Sequence, residues 1–220
     1  MTEPSGPAHK RPPASQPSGP IVFVVDDDDA AREYVCWLLA SAGWEVRSYG
    51  DAQAFLDDYD PACTGCLISD VRMPGLSGLD LQRELAARPI HLPIIMISAF
   101  AEVPTAVRAM REGAVDFLEK PFEGQALLDR VRMAIDAERA RRQDEAERSA
   151  VAERLAKLTP RQRAVLDGLT AGKPSKIIAA ELGVSPRTVD VHRFRLMRQI
   201  GAQSLPDLFR RVMLVRGGAS

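Results

Sequence analysis

Five residues suited to joint chemistry stand at or just beyond the ends of short apolar runs. Asp26 and Asp27 follow "IVFVV" (Ile21–Val25), Asp70 closes "CLISD", Ser98 closes "PIIMIS", and Lys120 comes just after "VDFL". Such runs read as buried strands, whereas aspartate is a poor strand former and costly to bury. Three carboxylates gathered in one place repel one another, and at least one would hold a proton unless a cation joined them. A hard divalent cation that accepts oxygen ligands and keeps some water, Mg2+, meets that need. Asp28 and Asp29, the last of the four consecutive aspartates, have a different use: they start the next helix, where negative charge suits the N-terminal dipole.

For the five to meet, their strands must lie side by side and parallel. From Ile21 to about Asp136 the apolar runs, with "EVRSY" (Glu45–Tyr49) among them, alternate with amphipathic segments. The clearest segment is Ala31–Ala42, where Val35, Leu38, Leu39 and Ala42 share a helical face. Five such strand–helix units predict an α/β fold, a doubly wound five-stranded parallel sheet, which brings the carboxyl ends of its strands to one edge. Residues 1–20, with six prolines among serines and glycines, read as a disordered tail.

Hydrophobic content is 45% and net charge −1, ordinary for a soluble globular chain. No apolar run nears the length of a membrane span and no signal peptide is visible, so the expectation is a cytoplasmic protein with no membrane partner. The three cysteines, Cys36, Cys63 and Cys66, form no framework. "CTGC" has the spacing of a redox pair, but Cys66 leads into a strand instead of opening a helix, so both cysteines read as small buried hydrophobes.

The even net charge hides an asymmetry. Residues 159–220 carry 11 Lys/Arg against 4 Asp/Glu, and the rest of the chain carries 18 against 26. An acidic body joined to a basic module suggests two tasks, the second on nucleic acid. Between them, "AERARRQDEAERSAVAERLAKL" (137–158) reads as a solvated helical linker. From Thr159 the signals are helical: "TPRQ" offers an N-cap Thr159, Pro160 at N1 and Gln162 at N3, a capping box. Pro174 and Ser185-Pro186 open further helices, and Gly183 supplies the turn between them. The predicted helices span 160–171, 175–182, 186–200 and 205–216.

The ordered motifs of residues 21–136, from "VVDDDD" through "ISDVRMPGLSG" to "FLEKPF", resemble the receiver domain of two-component response regulators. That resemblance implies a CheY-like (flavodoxin-like) fold, with Asp70 as phospho-acceptor from a sensor histidine kinase. It also implies Mg2+ held by Asp26, Asp27, Asp70 and the Arg72 backbone carbonyl, and Lys120 paired with the phosphoryl oxygens. Ser98 and Phe117 would form a switch pair acting on the face of the fourth helix and fifth strand, with dimerisation on phosphorylation. Lys120-Pro121 would be a cis peptide, and Gly75 and Gly78 would give the loop after Asp70 its backbone freedom.

"LTPRQRAVLDGLTAGKPSKIIAAELGVSPRTVDVHRFRLMRQIGAQSLPDLFRRV" resembles the LuxR/NarL-type helix-turn-helix domain. The combination resembles FixJ-type regulators, not turnover enzymes, with promoter DNA as a partner and RNA polymerase as a further candidate. Val189, Leu196 and Ile200 fall on one stripe of the 186–200 helix, with Arg187, Val191, Phe194, Arg195 and Arg198 opposite, a face suited to a major groove. Lys176, Arg187, Thr188, His192 and Arg193 read as phosphate or scaffold residues, Val191, Arg195 and Arg198 as groove-facing. Asp190 would need a cytosine amino group or a neighbouring arginine to sit near phosphates. A haloacid-dehalogenase-like phosphatase also uses a strand-end aspartate, but its motif needs a glycine soon after the aspartate pair, and "DDDDAA" has none. A regulator that works without phosphorylation is the remaining alternative, and the complete acidic site argues against it.

Overall fold

The computed structural model describes residues 19–88, 90–99 and 102–217; most of the predicted tail, residues 1–18, lies outside them. The chain divides into two compact units that meet between Ala140 and Arg141. In the first, five strands form one parallel sheet: β1 (Ile21–Val25), β2 (Glu45–Tyr49), β3 (Gly65–Asp70), β4 (Ile94–Ser98) and β5 (Asp116–Glu119), in the order β2-β1-β3-β4-β5. Each predicted apolar run became one of these strands, with ends shifted by a residue or two.

Alternation along each strand accounts for the two-sided core. Ile21, Phe23, Val25, Leu67, Ile94 and Met96 pack on one face with α2 (Ala52–Asp58), α3 (Gly78–Ala86) and α4 (Val103–Arg111). Val22, Val24, Cys66, Ile68, Ile95 and Ile97 pack on the other with α1 (Asp29–Ser41) and the start of α5 (Gly124–Ala156). Cys63 and Cys66 are buried in opposite core layers, and burial pushes the Cys66 thiol up to about 12, as its reading as an inert hydrophobe requires.

The second unit packs α6 (Pro160–Thr170), α7 (Ser175–Leu182), α8 (Pro186–Ile200) and α9 (Leu205–Arg216) around one apolar cluster. The capping box at Thr159 and Gln162 is present, and Gly183 takes φ +63° between α7 and α8. The solvated reading of 137–158 needs correction. The segment is helical as far as Ala156, but Val151 is buried, and Leu155 and Leu158 pack with it into the second core. Val151 and Leu155 stand i, i+4 on the helix, which ends at Ala156 just before Leu158, and this stripe is masked in the sequence by the dense charges around it. Some of those charges are also engaged within this unit: Arg154 Nη1 donates to the Ile200 carbonyl at 3.0 Å, and Glu147 pairs with Arg210 at 3.2 Å.

Candidate functional site

β1 and β3 are neighbours, yet the chain leaves β1 for β2 on one side and reaches β3 on the other. Their carboxyl ends therefore flank the point where the winding reverses, the usual ligand site of such a sheet. Asp26 follows β1 and is fully buried; Asp70 ends β3 and is nearly so. Lys120, just past β5, places Nζ 2.7 Å from Asp26 Oδ2 and 2.8 Å from Asp70 Oδ1. The second oxygen of each carboxylate accepts a backbone N–H, Asp28 onto Asp26 at 3.0 Å and Arg72 onto Asp70 at 2.6 Å. Ser98, at the end of β4, is buried, and its carbonyl accepts the Lys120 backbone N–H at 2.8 Å. Phe117 is half-buried against the α3–α4 side of the core.

The run of four aspartates thus divides by position. Asp26 faces the site, Asp27 is exposed, Asp28 caps α1 by accepting the Ala30 and Ala31 N–H groups, and Asp29 lies in the helix's first turn. The carboxylates that share Lys120 are Asp26 and Asp70, with Asp27 outside that hydrogen-bonded set. Among the described residues, no group of three or more His, Cys, Asp or Glu side chains is arranged to hold a metal. The donor set nevertheless fits a hard cation. It is all oxygen, and each Asp26 and Asp70 oxygen named above carries one hydrogen bond and so keeps acceptor capacity.

Burial raises the Asp26 carboxyl above its ordinary range, although the Lys120 hydrogen bond and charge oppose the shift. Burial alone would lower Lys120, but its hydrogen bonds to Asp26 and Asp70 outweigh that and hold it above the ordinary lysine value. The Lys120–Pro121 peptide is cis.

One residue of the site, Arg32, left no mark in the sequence, and another, Gly78, was read there for a different role. Arg32 Nη1 donates to the Asp26 carbonyl at 2.6 Å, anchoring the strand end from one helical turn away. Gly78 matters for contact more than for backbone freedom: a Cβ there would sit 2.1 Å from the Asp70 carbonyl oxygen. Gly75, at φ +75°, does use the left-handed region.

Residues 22–132 match the response regulator receiver domain, and 156–212 match the domain of bacterial regulatory proteins of the luxR family. The chain belongs to the two-component response regulators. The transcriptional regulatory protein FixJ of Azorhizobium caulinodans is 47% identical over 88% of this chain and 92% of its own length. FixJ of Bradyrhizobium diazoefficiens is 44% identical over 87% and 94%. Among solved structures, the response regulator StyR superposes with a TM-score of 0.78 at 42% identity, over 88% of this chain and 98% of that one. Full-length FixJ from B. japonicum gives 0.57 at 43%, over 90% and 98%. Membership of this family decides against the phosphatase alternative.

In the second unit of this response regulator, α8 divides into a buried and an exposed face. Val189, Leu196 and Ile200 are buried, and Arg187, Val191, Phe194, Arg195 and Arg198 are exposed on the other side. Lys176 is exposed near the start of α7, and Thr188 and His192 are half-buried. Thr188 also serves the helix start: its N–H donates to Ser185 Oγ at 3.1 Å, and the two hydroxyls lie 2.9 Å apart. Asp190 accepts from Ser175 Oγ at 3.1 Å and lies 3.9 Å from Arg193 Nη1. Of its two expected partners, the structure supplies the arginine.

Proposed function

We infer that the chain works as a DNA-binding transcription regulator, as the family's two domains imply, and not as a turnover enzyme. We propose that Asp70 is its phospho-acceptor and that phosphorylation controls it. The observation that carries this reading is Lys120 Nζ within hydrogen-bond reach of both Asp26 and Asp70 at the winding switch of the sheet. An Asp70 oxygen attacks the phosphorus of a phosphohistidine on a sensor kinase. The P–N bond breaks, the imidazole leaves, and an acyl phosphate forms on Asp70. Lys120 then turns its ammonium group toward a phosphoryl oxygen and pairs with it.

Asp26, Asp27, Asp70 and the Arg72 carbonyl would hold Mg2+, which supplies charge neutralisation for the transferring group. Buried Ser98 offers its hydroxyl to another phosphoryl oxygen, and half-buried Phe117 follows it inward. This remodels the face formed by α4 and β5, a local charge change that biases a two-state element. That face leaves Val103, Val107, Met110 and Val115 exposed, an apolar patch suited to a second copy of the chain. The dimer then presents two copies of α8 to promoter DNA in the cytoplasm, where RNA polymerase becomes its partner.

Incubation with acetyl phosphate and Mg2+ should label the wild-type chain on Asp70, and Asp70→Asn should abolish labelling. Wild-type labelling of the variant would overturn the assignment.

A further inference from the structure

The outer face of α8 carries two apolar side chains that the fold does not use. Phe194 is 64% exposed and Val191 45%, and neither belongs to the core of the second unit. At ~100° per residue, Arg187, Val191, Phe194, Arg195 and Arg198 share about 100° of the helix surface, opposite the buried Val189, Leu196 and Ile200. A face that only had to stay in water would gain nothing from an exposed benzyl side chain. A protein-docking patch would be expected to extend beyond two residues and to be depleted of charge at its centre, whereas here three guanidinium groups surround the pair. That combination is complementary to a polyanion that displays isolated apolar spots. The major groove is one, and its apolar spot is the C5-methyl of thymine.

Asp190 stands one turn before Phe194 and could have placed a free carboxylate beside it. Its Oδ1 instead accepts from Ser175 Oγ at 3.1 Å and faces Arg193 Nη1 at 3.9 Å, so its charge is partly offset within the unit.

We propose that Phe194, with Val191 beside it, reads thymine methyl groups and is a specificity-determining residue of this regulator. Each half-site then carries a thymine opposite Phe194 that is recognised through its methyl group and not through its hydrogen-bonding edge. The inference rests on α8 being the helix that enters the groove.

The test deletes the methyl from the DNA and the ring from the protein. Duplexes are first selected from a random pool with the full chain, acetyl phosphate and Mg2+. Each thymine of the selected site is then replaced singly by deoxyuridine, which removes only the methyl. Wild type, Phe194→Ala and Phe194→Leu are titrated against every duplex. One thymine per half-site should cost the wild type about fourfold in affinity on conversion to uracil, the worth of one buried methyl. The same conversion should cost Phe194→Ala little and Phe194→Leu an intermediate amount. Phe194 is outside the core, so both variants should keep the wild-type melting curve. If every uracil is tolerated by the wild type, or if wild type and Phe194→Ala lose affinity equally, the proposal is wrong while DNA binding stands. If no duplex is selected, or if Arg195→Ala leaves binding untouched, the groove reading of α8 fails and the proposal falls with it.

Discussion

Replacing Lys120 by methionine removes the one ammonium shared by two buried carboxylates while keeping most of the side-chain volume. Breaking a buried ion pair from one side costs about 3–5 kcal/mol, because the surviving charge is left without a partner. Lys120 keeps 21% of its side-chain exposure, so water can reach part of the site, and a loss of about 2–3 kcal/mol is expected, below that range. Trp37 and Trp44 are the chain's two tryptophans and both lie in the first unit, so fluorescence-detected urea unfolding reports on that unit selectively. Adding Asp26→Asn to Lys120→Met removes one of the two unpaired charges and should restore about half the loss.

The pH dependence has a definite sign. Asp26 is raised above 3.8 by burial, so its ionised form opposes folding, and stability is regained as pH falls through its folded value. The deficit of Lys120→Met at pH 7 should therefore shrink toward acid pH. Lys120 is raised above 10.5, so its stabilisation is complete below that pH and disappears as pH rises through its folded value, where variant and wild type should converge. Mg2+ should stabilise the variant more than the wild type, since it replaces the missing positive charge. Wild-type stability in Lys120→Met, or further loss on adding Asp26→Asn, would refute the electrostatic account of the site.

Two further outcomes are expected. Beryllofluoride should convert the chain to a dimer in sedimentation, and Val107→Asp, on the exposed α4 face, should leave it monomeric while phosphorylation by acetyl phosphate proceeds; an unchanged wild-type monomer at tens of micromolar would count against this switch. In titrations of specific and scrambled duplexes over a range of salt, Arg195→Ala should cost about 1–3 kcal/mol on the specific duplex and reduce discrimination, whereas Lys176→Ala should weaken both duplexes alike and flatten the salt slope by about one unit.

What the sequence disclosed was mostly what short-range chemistry controls. Strand ends could be read because an apolar run meeting an aspartate is a conflict that only a site resolves. The start of α6 could be read because Thr159, Pro160 and Gln162 interact within one turn. Residues whose role depends on distant contacts stayed hidden. Arg32 looks like any surface arginine until the turn between β1 and α1 brings it to the Asp26 carbonyl. Val151 and Leu155 were hidden by the charges that flank them, since no local signal shows that another helix will cover that stripe. Which of two adjacent aspartates faces inward is likewise a tertiary matter: Asp26 is buried and Asp27 exposed.

The same contacts suggest how a charge placed on Asp70 would be felt elsewhere. Lys120 Nζ gives two of its three N–H groups to Asp26 and Asp70, so a phosphoryl oxygen that drew the ammonium toward itself would lengthen those two bonds. Its backbone N–H is fixed to the Ser98 carbonyl at 2.8 Å, and Ser98 pairs in register with Glu119 at the end of β5. On the proposed reading, movement at Lys120 would pass first to the β4–β5 edge, and β5 is the strand that carries Phe117 against the core layer containing Ala109 of α4. Burying Asp26 where its charge is disfavoured costs the fold stability, and that cost keeps Lys120 engaged in two directions at once. A site with fully satisfied charges would be more stable, but it would have less to redistribute when a phosphoryl group arrived.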